Sequence, residues 1–398
     1  MRALIVGAGI AGPVLGIFLR RLGVDVTICE SRRAAATDEG VFLGVAPNGM
    51  NVLAEIGADR AILARGTPAA GFAFLNARGK QIGMIDGLGD EARYGAPLVM
   101  VRRGELHSVL VGAAIDAGVA VRFGASLTAL DRSDPRSVTA RFHDGSEETA
   151  DLVIGCDGIR SATRALAIPD APAPQFLDML DFGGYGRADH APLAVGWNVM
   201  VFGRRAFFGA FRRPDGEIWW FHNSGAREPL HALDPEARRA RILALHDGDP
   251  TWIGDIVRST PAVFGPWPLH DIRTIPSWHA GRVCVIGDAA HATSPSAGQG
   301  ASLAMEDAMM LARCLRDSGM DPERAFPELE AARRERVERV VERSRRYGSP
   351  KAPSSALAAW ARDRLLPLFL KMGVSEQREL YAYRIEWESA GGVARAGS

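Results

Sequence analysis

The sequence predicts an α/β fold: a Rossmann-like domain built from discontinuous segments, an inserted and mainly antiparallel β-sheet domain, and a C-terminal helical segment. Three observations lead to this prediction. Short apolar runs of strand length end in glycine at three distant points, Gly7, Gly155 and Gly287. Within residues 176–269, aromatic and small residues alternate as they do in half-buried antiparallel strands. After residue 320, opposite charges recur at the three- and four-residue spacing of a solvated helix face.

The composition is that of an ordinary globular protein without net charge. Apolar residues make up 47% of the 398 residues, and 47 basic residues balance 47 acidic ones. A neutral chain lacks the positive surface of a general nucleic-acid binder, and it gives no reason to expect a membrane partner. The apolar run from Leu4 to Leu19 has its stronger basic pair, Arg20 and Arg21, after it and not before it as a signal peptide would, and it is shorter than the roughly 20 residues of a spanning helix. Four scattered cysteines without a CxxC pair predict neither a disulfide framework nor a metal site, which fits a cytoplasmic protein.

The first glycine run has the G-x-G-x-x-G spacing of a dinucleotide-binding turn between a strand and a helix. Gly7 permits the tight turn, Gly9 lets backbone approach a pyrophosphate, and Gly12 lets the helix pack closely on the sheet. Ile10 and Ala11 complete the turn, so that the helix N-terminus presents its N–H groups to the phosphates.

A second predicted strand, Val24 to Cys29, ends in an acidic residue. Glu30 lies 18 residues after Gly12, where a carboxylate accepts hydrogen bonds from an adenosine ribose, and Arg32 is assigned to the same site. A carboxylate at this point disfavours a 2′-phosphorylated ribose, but the motif does not distinguish NAD from FAD.

Two further motifs follow the second and third apolar runs. The second run leads into an Asp-Gly pair at Asp157, and the third into a Gly-Asp pair at Asp288, with the loop Pro295–Gly300 and a predicted helix after it. This order of motifs resembles that of the class A flavoprotein monooxygenases, the aromatic hydroxylases with the p-hydroxybenzoate hydroxylase fold. The resemblance covers residues 1–345 and implies FAD as the cofactor. Three shorter segments also match the family: Pro47-Asn48-Gly49, Val101 to Leu106 and Met305 to Ala308.

The resemblance also implies which residues bind the FAD phosphates and the central part of the cofactor. Arg103 would reach the phosphates, with Arg102 as the competing assignment. Asp157 would bridge the cofactor region and the nicotinamide reductant. Arg160 and Arg164 would either assist there or be surface charges.

The third motif is assigned to the flavin end of the cofactor. By its resemblance to the family, Asp288 would accept hydrogen bonds from the ribityl chain, and His291 would orient the loop that follows. The loop precedes a helix, so its N–H groups and the helix dipole would face the flavin pyrimidine edge. The residues assigned to this loop are Pro295, Gly298, Gln299, Gly300 and Ala301.

Residues 71–97 and 176–269 resemble the substrate sheet of the family, whose inward face lines a pocket over the flavin. Strand parity leaves two faces open, one with Phe207, Phe211 and Phe221 and the other with Phe208, Trp219 and Trp220. The residues predicted to bind substrate are Phe208, Phe211, Trp220 and His222. His222 is also the candidate catalytic base for a phenolic proton, because the ordinary pKa of histidine is near neutral, although a structural role at the strand end is the alternative.

Three regions follow from these assignments. An FAD-binding domain comprises residues 1–70, 98–175 and 270–330, a substrate-binding domain comprises 71–97 and 176–269, and C-terminal helices comprise 331–398. The resemblance implies an enzyme that uses NAD(P)H and O2 to insert one oxygen atom into an aromatic or polyketide-like small molecule, chiefly by hydroxylation, through a flavin C4a-hydroperoxide. The alternatives on the same scaffold are a flavin dehydrogenase or reductase that does not activate oxygen, and a non-enzymatic escort protein.

Overall fold

The computed structural model describes residues 1–34, 41–348 and 356–388. The strands are β1 (Arg2–Val6), β2 (Asp25–Glu30), β3 (Phe42–Val45), β4 (Thr67–Pro68), β5 (Gly71–Asn76), β6 (Gln81–Asp86), β7 (Val99–Arg102), β8 (Ala120–Phe123), β9 (Leu127–Asp131), β10 (Val138–Phe142), β11 (Glu147–Ala150), β12 (Leu152–Gly155), β13 (Gln175–Gly186), β14 (Trp197–Phe202), β15 (Phe207–Arg212), β16 (Ile218–Gly225), β17 (Phe264–Asp271), β18 (His279–Ala280) and β19 (Val283–Val285). The helices are α1 (Ala11–Arg21), α2 (Pro47–Glu55), α3 (Asp59–Arg65), α4 (Asp90–Tyr94), α5 (Arg103–Asp116), α6 (Ala162–Ala167), α7 (Pro235–Leu245), α8 (Thr251–Ser259), α9 (Asp288–His291), α10 (Gly300–Asp317), α11 (Pro322–Gly348) and α12 (Ala356–Ala382).

A six-stranded sheet in the order β18-β19-β12-β1-β2-β8 collects strands from distant parts of the chain. Strands β19, β12, β1, β2 and β8 are parallel, and Ile5 of β1 lies between Ile28 of β2 and Ile154 of β12. The apolar side chains of these strands are buried, as expected of parallel strands covered by helices on both faces. Because β1, β12 and β19 run in the same direction, all three glycine motifs lie at the same edge of the sheet.

A second sheet has seven strands in the order β17-β13-β16-β15-β14-β5-β6. Its neighbouring strands are antiparallel except for β14 and β5, which run parallel. Glycines with positive φ form the two predicted turns: Gly79 (+75°) between β5 and β6, and Gly216 (+82°) between β15 and β16. One face of this sheet packs on α7 and α8 in a hydrophobic cluster that includes Trp252 and Ile256, separate from the core under the parallel sheet.

The other face of the seven-stranded sheet meets a small sheet with the order β3-β7-β4. The Tyr185 hydroxyl donates to the Val41 carbonyl oxygen at 2.7 Å, and the Phe42 and Trp219 rings lie 5.4 Å apart. Another three-stranded sheet, β11-β10-β9, extends from the parallel sheet. The seven-stranded sheet therefore meets the small sheet along β3 and β7.

The helices after residue 300 pack chiefly on other helices, and α12 also packs on β6. Helix α10 is almost entirely buried and packs against α1, α2 and α11. No helix in the described ranges is long and apolar enough to cross a membrane, and the four cysteines are buried free thiols. Residues 389–398 of the predicted C-terminal segment lie outside the described residues.

Candidate active site

Backbone contacts that only glycine permits hold the turn between β1 and α1. A Cβ atom on Gly12 would lie 2.1 Å from the Gly7 carbonyl oxygen, and one on Gly7 (φ +105°) would lie 2.5 Å from the Cys156 carbonyl oxygen. Gly9 differs, because a Cβ atom there would meet no protein atom within 4 Å. The N-cap residue Ile10 makes no side-chain cap, and the first turn of α1 contains no acidic residue. Open space at Gly9 beside an uncapped helix N-terminus is what a phosphate site requires.

Glu30 connects the end of β2 to this turn by a hydrogen bond. The residue is 5% exposed, and its carboxylate accepts the Ala8 N–H at 2.8 Å. The other carboxylate oxygen accepts the Ser31 hydroxyl at 3.1 Å and the Arg32 N–H at 2.9 Å, with the Arg32 guanidinium 3.8 Å away. Glu30 and Arg32 thus lie beside the Gly7–Gly12 turn, as predicted from their spacing.

The two competing arginines at the end of β7 point to different places. Arg102 donates to Glu217 at 2.8 Å, and its guanidinium lies 4.4 Å from the centre of the Tyr185 ring. Arg103 is exposed and lies close enough to Asp288 for its charge to lower the pKa of that carboxyl. The geometry therefore favours Arg103 over Arg102 for the cofactor side.

Asp288 is exposed although its neighbours Gly287 and Ala289 are buried. The protein that surrounds it raises the pKa of Asp288, and the charges of His291 and Arg103 oppose this rise. An exposed carboxylate at the end of a strand suits the binding of ligand hydroxyl groups.

The loop after α9, the short helix that begins at Asp288, leads into α10. Pro295 begins a short 3-10 turn, and Gly298 follows it with φ +61° and no protein atom within 4 Å of a Cβ position. Both residues are exposed, and Gly300 and Ala301, in the first turn of α10, are half-buried. The Gln299 side chain is buried and accepts a hydrogen bond from Asn48 at 3.0 Å, so any contact of Gln299 with a ligand is through its backbone.

Asp157 is bound to the turn that carries it. Its carboxylate accepts the Ser161 hydroxyl at 2.5 Å, and the N–H and hydroxyl of Thr163 at 2.9 and 3.0 Å. Arg164 is buried and donates to the carbonyl oxygens of Ile159 and Ala289. Arg164 is thus not a surface charge; it ties the Asp157 motif to the residues beside Asp288.

Behind the loop lies a buried network of charged side chains that was not predicted from the sequence. The Asp307 carboxylate accepts hydrogen bonds from the Gly287 N–H at 3.0 Å, from His291 Nε2 and from Arg333 Nε at 2.8 Å. Burial raises the pKa of Asp307, but the charges of His291 and Arg333 outweigh it and bring the pKa to about 2. Beside it, Glu306 accepts from Asn48 and pairs with Arg333 and Arg336. His291 is therefore held by a carboxylate on α10.

The charge-rich helix α11 is therefore only partly a solvated face. The half-buried Arg334 and the exposed Arg339 make the ion pairs at four-residue spacing that the sequence predicts. Arg333, one residue earlier, is fully buried between Glu306 and Asp307. The prediction of a solvated face is wrong for this residue, because α11 packs against an acidic pair on α10.

The face of the seven-stranded sheet that meets β3 is aromatic. Phe202, Phe207 and Phe221 lie on it, with the Phe207 and Phe221 rings 5.9 Å apart and Phe42 of β3 at 6.3 Å from Phe221. Phe202 and Phe221 are half-buried, although their strands lie in the interior of the sheet. Phe211 lies on the same face but is fully buried. Half-buried aromatic side chains on interior strands show that this face borders open space.

The opposite face carries three of the residues that were predicted to bind substrate. Phe208, Trp220 and His222 are fully buried in the cluster formed with α7 and α8. His222 Nδ1 lies 2.9 Å from His246 Nε2, and His246 Nδ1 lies 2.8 Å from Asp249. The predictions that these three residues contact substrate, and that His222 is the catalytic base, are therefore wrong.

The prediction that Trp219 shares a face with Phe208 and Trp220 is also wrong. Trp219 lies instead opposite Phe211 and against Phe42, because adjacent residues of a strand point to opposite faces. Strand parity does not say which face is covered by helices.

His222→Leu is expected to leave FAD binding and turnover unchanged while altering acid stability. Burial, and then the charges of His246 and Arg241, hold the pKa of His222 well below 6.5. The folded protein thus binds fewer protons at this site than the unfolded chain, so this stabilisation is present above about pH 6.5 and is lost as the pH falls. Below that pH, the free energy of unfolding from thermal melting should change less steeply with pH in the variant, by up to about 1.4 kcal/mol per pH unit.

The matched control for this change is His190→Leu, because the His190 side chain is 66% exposed. It should change neither the slope nor the activity. Loss of turnover in His222→Leu with normal melting would restore a catalytic role for His222.

Three comparisons with known proteins agree with this geometry. The family described as "FAD binding domain" matches residues 1–179 and 254–344. The chain is 32% identical to aurachin C monooxygenase/isomerase of Stigmatella aurantiaca over 92% of this chain and 94% of that protein. It is 31% identical to 3-amino-4-hydroxybenzoate 2-monooxygenase PtnB3 of Streptomyces platensis, covering 98% and 96%.

A solved structure extends the likeness to the whole fold. The structure of Klebsiella pneumoniae HpxO complexed with FAD and uric acid matches with a TM-score of 0.86 and 25% identity, over 96% of this chain and 97% of that one. The resemblance stated from the three glycine motifs is thus confirmed. The chain belongs to the FAD-dependent aromatic monooxygenases and is an enzyme of that family.

Proposed function

We propose that this enzyme uses NAD(P)H and O2 to insert one oxygen atom into an aromatic or polyketide-like small molecule, chiefly by hydroxylation. The observations that carry the proposal are the exposed residues of the cofactor motifs and the aromatic face of the seven-stranded sheet. Asp288, Pro295 and Gly298 are exposed, and Phe202 and Phe221 are half-buried on that face. A half-buried aromatic face suits a flat, apolar substrate.

The residues present fit FAD. Gly9 and Gly298 leave space that a side chain would fill, and Arg103 and Asp288 offer opposite charges to phosphate and hydroxyl groups. The residues proposed to hold FAD are Gly7, Gly9, Ile10, Ala11, Gly12, Glu30, Arg32, Arg103, Asp157, Asp288, Pro295, Gly298, Gln299, Gly300 and Ala301. Bound FAD would supply the redox chemistry, accepting reducing equivalents from NAD(P)H and passing them to oxygen.

The chain itself positions the reactants and excludes water. The start of α10 places uncapped N–H groups beside the Pro295–Gly300 loop, which favours negative charge on a ligand there. The half-buried Phe221 and Phe202 would stack on the substrate and keep water from the reacting centre. The His291–Asp307–Arg333 network would hold the loop in place during turnover.

The proposal is tested by oxygen consumption and product mass. Purified protein should bind FAD, and a substrate from a panel of phenols and hydroxyquinolines should accelerate NAD(P)H oxidation and give a product heavier by one oxygen atom. Flavin reduction without substrate oxygenation would support the dehydrogenase or reductase alternative. A protein that binds no FAD would overturn the proposal and leave an escort role.

Gly9→Ala separates a ligand effect from a folding effect. Because a Cβ atom there meets no protein atom, the melting temperature of the apoprotein should stay unchanged. FAD affinity should fall at least about tenfold, which corresponds to about 1.4 kcal/mol, because the methyl group occupies space proposed for the cofactor. Equilibrium titration of the apoprotein with FAD measures this change, and unaltered affinity would remove Gly9 from the site.

A further inference from the structure

The carbonyl oxygen of Val41 accepts hydrogen bonds from two separate parts of the fold. The Tyr185 hydroxyl, on β13 of the seven-stranded sheet, donates to it at 2.7 Å. The Arg103 N–H, at the start of α5, donates to it at 3.2 Å. Val41 is buried, and a carbonyl oxygen has two lone pairs, so it can accept both bonds at once. A side chain of the seven-stranded sheet and the residue proposed to bind the FAD phosphates are therefore held by the same atom.

Val41 is also held by close packing against β13. A Cβ atom on Gly183, two residues before Tyr185, would lie 2.7 Å from Val41 Cγ2. Gly183 and Tyr185 lie on one face of β13, because alternate residues of a strand point to the same side. The strand therefore contacts Val41 at two successive positions of that face, and these contacts fix the residue before β3 against the seven-stranded sheet.

The ring of Tyr185 contacts the residue that precedes Arg103. The Arg102 guanidinium lies 4.4 Å from the centre of this ring and donates to Glu217 at 2.8 Å. Glu217 accepts a second hydrogen bond, from the Trp219 indole N–H at 2.7 Å. A cation over an aromatic ring stabilises more strongly when it is partly shielded from water than when it is exposed. Tyr185 therefore contacts Arg102 through its ring and reaches Arg103 through Val41.

The direction of the hydrogen bond between Tyr185 and Val41 is fixed. Burial raises the pKa of Tyr185 to about 12, although the charge of Arg102 opposes this rise. The hydroxyl is therefore protonated at neutral pH, and a carbonyl oxygen can only accept. Removal of the hydroxyl alone deletes this bond and leaves the ring on Arg102.

We infer that Tyr185 is a positioning residue for the FAD site, which holds Arg103 in place through the Val41 carbonyl group. The inference rests on the proposed function, since it takes Arg103 as the residue that binds the FAD phosphates. Arg103 is exposed, so its backbone is the part of the residue that the protein can fix. The position of that backbone determines where the guanidinium reaches, and charge-assisted bonds to phosphate depend on donor geometry. FAD affinity therefore depends on a side chain that lies outside the three cofactor motifs.

The test compares Tyr185→Phe, Arg103→Met and the double variant by titration of each apoprotein with FAD. Tyr185→Phe should weaken FAD binding about threefold to tenfold, the range expected for the loss of one hydrogen bond. In the Arg103→Met protein the same change should alter FAD affinity less than about twofold, because the group that Tyr185 positions is gone. A structural role of Tyr185 that does not involve Arg103 would give equal effects in the two backgrounds.

The matched control is Tyr94→Phe, which makes the same chemical change at another site. Tyr94 is a buried tyrosine on α4 whose ring packs on Tyr381 of α12. Its loss of a hydroxyl should leave FAD affinity at the wild-type value. Melting temperature and near-ultraviolet circular dichroism of each apoprotein show that every variant is folded, so that a change in FAD affinity is measured on native protein.

The outcomes separate this inference from the proposed function. If wild-type protein binds no FAD, the proposed function fails and the inference fails with it. If Arg103→Met binds FAD as tightly as wild type, Arg103 is not a phosphate ligand and the inference is overturned. If wild-type protein binds FAD but Tyr185→Phe keeps its affinity, or loses as much affinity in the Arg103→Met background, the positioning role of Tyr185 is overturned and the FAD site stands.

Discussion

Gly12→Ala should reduce FAD affinity at least about a hundredfold, a loss of about 2.7 kcal/mol, and lower the melting temperature. The added carbon would lie 2.1 Å from the Gly7 carbonyl oxygen and 3.3 Å from Ile5 Cγ2. The turn cannot move away from the added carbon, because its other side packs closely on the segment after β12. A Cβ atom on Gly7 would lie only 2.5 Å from the Cys156 carbonyl oxygen. The methyl group must therefore separate the turn from β12 or from α1, and either movement displaces the N–H groups that face the phosphates.

The control for this change is Gly112→Ala. Gly112 lies within α5, where a Cβ atom would meet no protein atom within 4 Å. Alanine there should preserve FAD binding and add up to about 1 kcal/mol of stability, because glycine is a poor helix former. Titration with FAD and thermal melting measure both variants. Tight FAD binding by Gly12→Ala would show that the turn is not the phosphate site.

The cofactor motifs could be predicted from the sequence because they are local. Gly7 and Gly298 have positive φ, and Gly12 lies against the nearby Gly7 carbonyl oxygen, so these local constraints leave glycine at fixed spacings. The approach of Gly7 to the Cys156 carbonyl oxygen is an additional constraint from a distant segment. Asp288 and Glu30 end strands, and parallel strands bring their carboxyl ends to one edge. These residues therefore needed no knowledge of tertiary contacts.

The substrate face and the buried network depend on contacts between distant segments. A period of two places Phe208 and His222 on one face and Phe207 and Phe221 on the other, but it is equally consistent with either face packing on α7 and α8. In the same way, Arg333 stands in a charge pattern indistinguishable from that of its half-buried neighbour Arg334. One signal was present in the sequence: an acidic Glu306-Asp307 pair in an otherwise apolar helix requires buried cations.

Arg333→Met is expected to destabilise the protein by about 3–5 kcal/mol, because it leaves two buried carboxylates without their shared cation. Arg333 lies 2.6 Å from Glu306 and 2.8 Å from Asp307, and all three side chains are at most 1% exposed. In the variant, Arg336 can still neutralise Glu306 at 2.9 Å. Asp307 keeps its contact with His291 but loses its ion pair with Arg333.

The effect should extend to the cofactor, which distinguishes this network from an ordinary structural ion pair. Asp307 also accepts the Gly287 N–H, and Gly287 immediately precedes Asp288, so a displaced Asp307 carboxylate moves the residue proposed to bind the ribityl chain. Arg333→Met should therefore weaken FAD binding as well as lower the melting temperature. In the control, Arg339→Met, the lost ion pairs are exposed and worth less than about 1 kcal/mol, and FAD affinity should be unchanged. Equal losses of stability in the two variants would mean that the buried network contributes no more than a surface pair. Normal FAD affinity in a destabilised Arg333→Met would mean that Asp307 does not position the loop.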